Sequence, residues 1–197
     1  MCQQPRLHVG CGMHRLPGWL NTDRAVLNRH GVMYLDARKK LPFSDDTFSF
    51  VFCEHFISYL TLAEASAFFA ECHRILKAGG TFRIATPTWA FLNELETGSD
   101  PRYRAYVHWA SRDFFGMDYD SPCIVTNSLL FSAMGGKSVY DEEFLKWVLA
   151  QVGFSEVIKT RVGQSEHPEL RGVEGHGNFV PREINELETV VLEASKS

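Results

Sequence analysis

The chain has 197 residues, a length that fits one domain with a substantial core. Hydrophobic residues make up 45% and charged residues 22%, with fifteen Phe and four Trp, a composition that excludes broad disorder. The formal net charge is −4 and no basic tract stands out, so neither a nucleic-acid backbone nor an anionic membrane surface is an expected partner. No run approaches the roughly 20 apolar residues of a membrane-spanning helix. Residues 1–6 are polar and unlike a signal peptide. Cys2, Cys11, Cys53, Cys72 and Cys123 form no CxxC pair and read as reduced thiols of a cytoplasmic protein.

Short apolar runs alternate with helical patterns through the first half, which predicts a parallel sheet with helices on its faces. The expected strands are Leu7–Val9, stopped by Gly10; Trp19–Thr22, ending at Asp23; Val32–Leu35, ending at Asp36; and Phe48–Cys53, ending at Glu54. Three acids in succession thus fall where open α/β sheets bind ligands, at the carboxyl ends of strands. Leu62, Ala65, Phe68, Phe69, Cys72, Ile75 and Leu76 recur at helical spacing, and Gly79-Gly80 is expected to end that helix. His73, beside the stripe, is expected to be structural. A fifth strand spans Thr81–Thr86. Residues 88–140 are irregular and aromatic, too long for a plain connection, and predict a partly helical insertion. Asp141 is placed to N-cap a helix whose buried face is Phe144, Leu145, Val148, Leu149 and Val152, with Tyr140 and Leu145 as a staple. Phe154–Val162 and Leu187–Ala194 read as closing strands.

The chemistry centres on His8-Val9-Gly10-Cys11-Gly12 after the first strand. Two glycines there allow a sharp turn and close approach of backbone to a ligand, although a GxG after a strand also occurs as a plain turn. Asp23 and Asp36 suit ligand hydroxyl and amino groups, or read as helix caps and solvated loop carboxylates. Glu54 could equally cap the next helix.

Four stretches together, LHVGCG, GWLNTD, LDARKKLPFSDDTFSFVFCEHFISYL and ECHRILKAGGTFRIATP, resemble the class I SAM-dependent methyltransferases, particularly the type 11 methyltransferase domains. The resemblance covers roughly residues 6 to 87, with weaker agreement over 139–162 and 187–194. It implies a single Rossmann-like α/β domain: a seven-stranded, mostly parallel sheet with an antiparallel last strand and an insertion after the fifth strand. It also implies S-adenosyl-L-methionine as cofactor. Gly10, Cys11 and Gly12 would pass under its methionine part, Asp23 would accept from the ribose hydroxyls, and Asp36 would face the adenine amino group with Ala37 nearby. Glu54 and His55 would lie beside the methyl group.

The chain departs from the family in the few residues between Gly12 and Trp19, interrupted by Pro17-Gly18, where the usual first helix must be very short or absent. His14 or Arg15 is then expected to meet the cofactor carboxylate. The acceptor pocket is expected under the 88–140 segment, acting as lid, with Tyr103, Tyr106, Trp109 and His167 as lining, unless those aromatics form the segment's own core. His55 or His108 would serve as base for a hydroxyl acceptor. The polar clusters at 165–169 and 174–176 carry two histidines among carboxylates, but their spacing fits no standard metal site and none is expected. A small-molecule or glycan-type acceptor is expected, with O-, N- and C-methylation all open. Two other readings are a nicotinamide-dependent oxidoreductase, opposed by the broken helix and the early acid, and a catalytically silent cofactor- or partner-binding module.

Overall fold

A computed structural model describes residues 5–26, 30–133 and 135–197. Cys2 and residues 1–4 of the polar N-terminus lie outside the described residues. The strands are β1 (Arg6–Val9), β2 (Leu20–Asp23), β3 (Val32–Tyr34), β4 (Phe48–Glu54), β5 (Leu76–Pro87), β6 (Glu156–Thr160) and β7 (Thr189–Ser195). They form one seven-stranded sheet of order β3-β2-β1-β4-β5-β7-β6. β1 to β5 pair in parallel, whereas β7 runs antiparallel to both β5 and β6. Among the described residues no helix is long and apolar enough to cross a membrane.

One face of the sheet is covered by α1 (Leu62–Ile75) and α5 (Glu142–Gln151). Phe68, Phe69, Cys72 and Ile75 of α1 and Leu145 and Leu149 of α5 are buried with Leu7, Val51, Cys53, Phe82 and Ile84 of the strands. Burying these side chains is the main favourable term for the domain. Each helix starts where the sequence indicates. Thr61 accepts from the Glu64 N–H at 3.2 Å while Glu64 accepts from the Thr61 N–H at 2.8 Å, a reciprocal capping box. Asp141 accepts from the Phe144 N–H at 2.7 Å. Tyr140 and Leu145 are both buried in this core. His73 packs edge-on against Phe154, a structural placement as expected.

Three boundaries differ from the sequence reading, the first being β6, which spans only Glu156–Thr160 of the expected 154–162. α1 stops at Ile75, and Leu76 already pairs with Phe48. Gly79-Gly80 therefore lies inside β5, in a bulge before Thr81 pairs with Phe50, rather than at a helix end. The closing strand begins at Thr189, because Arg182–Glu188 forms a short helix, α6, which includes Leu187.

The opposite face carries no helix from the first crossover. Between Val9 and Leu20 the chain turns back without one, and a buried side-chain amide ties its second half. Asn21 accepts from the Leu16 N–H at 2.9 Å and donates to the Leu16 and Trp19 carbonyls at 3.0 and 3.1 Å. It also accepts from His8 Nδ1 at 3.2 Å, and burial holds the His8 ring at a pKa of about 4, hence neutral. Leu16 packs with Phe52, Ala85, Val173 and Val191. The cover is completed by a strap, residues 161–181, that crosses the sheet as loop chain with 3-10 turns at Pro168–Leu170 and His176–Asn178.

Arg83 of β5 fastens the strap. Its side chain is fully buried and donates to Glu174 at 2.6 Å and to Glu193 at 2.5 Å. It also donates to the Gln164 carbonyl at 2.9 Å. Residues 88–133 form the helices α2 (Trp89–Thr97), α3 (Pro101–Trp109) and α4 (Pro122–Ser128) with two π-helical turns. The segment packs around its own apolar cluster of Phe91, Leu95, Tyr106, Val107, Val125 and Leu129, joined by Val180 and Ile184 from the strap and α6.

Removing Arg83 leaves two buried carboxylates without their cation. Arg83→Met is expected to lower unfolding free energy by about 3–5 kcal/mol in chemical denaturation. A loss below about 1 kcal/mol would show that Glu174 and Glu193 reach water when the guanidinium is gone.

Candidate functional site

A cavity of about 650 Å³ opens at the carboxyl ends of β1, β2 and β4. That size suits a cofactor or drug-sized ligand. Gly10, Cys11, Gly12, Asp23, Asp36, Ala37, Glu54 and His55, all singled out in the sequence, line it together.

The glycine loop and the first acid are one unit. Cys11 donates its N–H to the Thr22 carbonyl at 3.0 Å, and the Gly12 N–H reaches Asp23 Oδ2 at 2.8 Å. Asp23 Oδ1 accepts from the Ala25 N–H at 2.7 Å. The carboxylate is thereby fixed at the end of β2 beside the loop. Gly10 has φ +68°, and a Cβ there would lie 2.4 Å from the Phe56 ring. Both conformation and space therefore demand glycine at this position.

Asp36 sits just past β3 and faces Arg38. Arg38 Nε and Nη2 donate to its two oxygens at 2.7 and 2.6 Å. That fork, with the Arg38 backbone N–H, holds the Asp36 carboxyl at about 2.

At the other end, Glu54 closes β4. Its carboxylate accepts from the Gly175 N–H at 2.8 Å and the His176 N–H at 3.1 Å, so it is the strap's anchor. Burial lifts the Glu54 carboxyl above its ordinary range, against the pull of those two donors. His55 follows with φ +45°, a left-handed backbone uncommon for a side chain of this size. Its ring stacks on His176 with centroids 4.0 Å apart, and its Nε2 lies 3.1 Å from Thr189 Oγ1. Burial first, and His176 second, push the His55 imidazole well below its usual pKa. His176 Nε2 contacts Glu188 Oε1 at 2.5 Å, and Glu188 Oε2 accepts from the Tyr106 hydroxyl at 2.8 Å.

Other expected residues stand elsewhere. Tyr103, Tyr106, His108, Trp109 and His167 are not among the lining residues. Tyr106 is buried in the core of the helical segment, with Tyr103 and Trp109 packed against that cluster. His108 is exposed and pairs with Asp120 at 2.8 Å. His167 lies against Thr81 and Phe50, near the opposite end of β4 and β5. It is thus parted from His176, with which it shares the polar loop. Arg15 donates to the His30 carbonyl and does not line the cavity, whereas His14 does, with Nε2 3.1 Å from the Val173 carbonyl. Arg24, Arg38, Tyr59, Lys137 and Phe179 also line the cavity. Arg24, Lys137 and Phe179 sit outside any motif, and Arg38 and Tyr59, although inside the quoted stretch LDARKK…HFISYL, stand at positions to which the resemblance attaches no role.

Residues 11–84 match the family model described as Methyltransferase domain. No curated protein matches the sequence. Among solved structures, a SAM-dependent methyltransferase from Archaeoglobus fulgidus is 17% identical with a TM-score of 0.59, over 99% of this chain and 87% of that one. A SAM-dependent methyltransferase from Thermotoga maritima is 16% identical with a TM-score of 0.56, over 100% and 84%. Phosphoethanolamine N-methyltransferase 2 of Haemonchus contortus, solved with S-adenosyl-L-methionine, is 14% identical with a TM-score of 0.51, over 98% of this chain and 48% of that one. This chain therefore spans about half the length of the Haemonchus protein. Strand order and the antiparallel β7 are those of the Rossmann-like methyltransferase fold, and residues 11–84 of it carry the match to the methyltransferase domain model.

Two measurements probe the geometry. Gly10→Ala should destabilise the fold by about 1–2 kcal/mol from the left-handed backbone alone. Its clash with Phe56 should be partly relieved in the Gly10→Ala/Phe56→Ala double variant, and equal losses in single and double variants would remove Phe56 as the obstacle. In a carbon-13 NMR titration the Asp36 carboxyl should titrate near 2. Arg38→Ala should move it up toward the ordinary value of about 3.9. Because the folded pKa is the lower one, the contact contributes stability above about pH 4 that is lost as pH falls toward 2.

Proposed function

We propose that the protein transfers a methyl group from S-adenosyl-L-methionine to a small-molecule or glycan-type acceptor held in the same cavity. The observation that carries this reading is the Gly12 N–H to Asp23 bond of 2.8 Å. It joins the glycine turn and a strand-end acid into one wall of a cofactor-sized cavity. A second acid, Asp36, and a third, Glu54, stand on the same cavity.

When bound, the cofactor supplies a methyl group already activated by the sulfonium charge. The chain's own residues then have three tasks. Asp23 accepts hydrogen bonds from the ribose hydroxyls, a role suited to a carboxylate with several acceptor sites. Asp36 faces the adenine amino group, with Ala37 beside it. Gly10, Cys11 and Gly12 let the backbone lie close under the methionine part. His14, rather than Arg15, is the group on the cavity that serves the carboxylate end, together with Arg24.

Holding the acceptor close and in line supplies much of the acceleration of such a displacement. Tyr59, Lys137, His176 and Phe179 line the remaining wall and are assigned the acceptor contacts in place of Tyr103, Tyr106, Trp109 and His167. The 88–140 segment contributes Lys137 directly and otherwise acts as the lid's frame. His108, exposed on that frame, is assigned no catalytic part. His55, neutral at working pH, offers a ring lone pair at the acceptor end. Buried Cys53 and Cys72, whose pKa values are raised by burial, suit a reducing cytoplasmic setting.

Calorimetry with SAM, S-adenosylhomocysteine and NAD tests the reading. The adenosyl ligands should bind at micromolar level and NAD should not. Asp23→Asn should weaken adenosyl binding about 10–100-fold, the equivalent of one to two charged hydrogen bonds. Absence of adenosyl binding at millimolar concentration would overturn the proposal.

A further inference from the structure

We propose that His55, His176 and Glu188 form a binding site for a divalent transition-metal cation in the wall of the cavity. The three residues come from separate places: the turn after β4, the strap, and the end of α6. One ligand atom from each lies within 4.8 Å of the others. Two imidazoles and one carboxylate are donors that suit zinc, cobalt or iron; magnesium and calcium prefer all-oxygen sets.

Four observations separate this cluster from an ordinary buried polar network. First, Glu188 is a buried carboxylate, and among the described residues no Lys or Arg is paired with it. Buried carboxylates are either paired or coordinate a metal, and the nearest nitrogen to this one is the His176 imidazole. Second, the two imidazoles lie with centroids 4.0 Å apart, which brings a ring nitrogen of each within 4.8 Å of the other and of a Glu188 oxygen. Third, His55 holds a left-handed backbone, φ +45°, which costs free energy and persists where surrounding structure enforces it. Fourth, two of the ligand side chains have an outer partner that fixes them, and the third residue is fixed through its backbone. Tyr106 donates to the second Glu188 oxygen at 2.8 Å. Thr189 Oγ1 sits 3.1 Å from His55 Nε2 and donates to Asn185 at 3.0 Å. The His176 N–H is tied to Glu54. Such outer contacts are the usual support of metal ligands.

A four-coordinate cation with bonds of about 2.1 Å would part the His176–Glu188 contact to about 3.4 Å. It would take up the space now bridged by that contact. His55 and His176 line the cavity, so the remaining coordination positions face the region assigned to the acceptor. Three protein ligands with an open position is the arrangement of catalytic rather than structural sites. The group that would fill it is an oxygen of the acceptor, a hydroxyl or carboxylate, and a bound hydroxyl becomes more acidic. The use on an acceptor oxygen rests on the methyl-transfer reading; the cation site does not.

The test is titration of tag-free, chelator-stripped protein with Co(II), followed by visible absorption, and with Zn(II), followed by calorimetry. One equivalent should bind, with the ligand-field bands of a nitrogen- and oxygen-bound cobalt. His176→Ala and Glu188→Gln should each weaken binding by about 100-fold or more. His108→Ala and Cys123→Ser, at exposed sites, should leave it unchanged. Circular dichroism on each variant reports folding. If Glu188→Gln does not fold, His176→Ala, which keeps the backbone bond to Glu54, decides the matter. No stoichiometric binding by the wild type, or binding unaltered in His176→Ala, would sink the proposal. Calorimetry with S-adenosylhomocysteine on the stripped protein keeps this outcome separate from that of the cofactor reading.

Discussion

Arg83 is the constraint on which the site depends. One guanidinium with no exposed surface serves two carboxylates and a strap carbonyl. Glu174 has a second duty, accepting from the Gly163 N–H at 2.8 Å, so the start of the strap is tied to its later half. The next residues, Gly175 and His176, then deliver their N–H groups to Glu54 at the mouth of the cavity. A buried charged cluster of this kind is a poor source of net stability, since well-packed apolar groups often do as well. What it supplies here is register. Irregular chain can slide, but a forked guanidinium on two carboxylates accepts few alternative positions.

The strap exists because the first crossover is short. A parallel connection ordinarily carries a helix that covers the sheet beside β1. Here the chain from Val9 to Leu20 has none, and Asn21 ties its second half with one side-chain amide. That leaves Phe52, Ala85 and Val191 needing cover, which Leu16 and Val173 provide. The missing helix and the long loop near the C-terminus are therefore one structural fact. The loop also carries His176, so the substitution of strap for helix brings an imidazole and its Glu188 partner to the cavity.

The parts legible in the sequence are those written in local pattern. The strand ends at Asp23, Asp36 and Glu54, the cap at Asp141 and the α1 stripe need only neighbouring residues to be read. Gly79-Gly80 misled because a glycine pair after a helical stripe looks the same whether it ends a helix or makes a bulge in the next strand. Pairing of Leu76 with Phe48 decides it, and that pairing is non-local. The aromatics of 88–133 were ambiguous for a related reason. Composition cannot tell a pocket lining from a small core, and Tyr106 shows the difference lies in which way one helix face turns. Arg83, Glu174 and Glu193 give no signal at all, since three charges far apart in sequence read as three solvated side chains.

The two ends of the cavity differ in rigidity, and the difference follows from how each is built. At the Asp36 end the partner of the carboxylate is Arg38, two residues away, with a side chain about one third exposed over a nearly covered carboxylate. A local pair whose cation reaches water is more readily exchanged for another donor than a long-range buried one. A ligand donor can therefore replace or share the guanidinium at modest cost. At the Glu54 end every polar partner is long-range: strap N–H groups on Glu54, Thr189 on His55, Glu188 on His176. Moving one of these groups displaces the strap, α6 or β7 with it. An adaptable end suits a ligand that must enter and leave with each cycle. A rigid end suits the place where two reacting atoms must be held in line, because misplacement there forfeits the advantage of proximity.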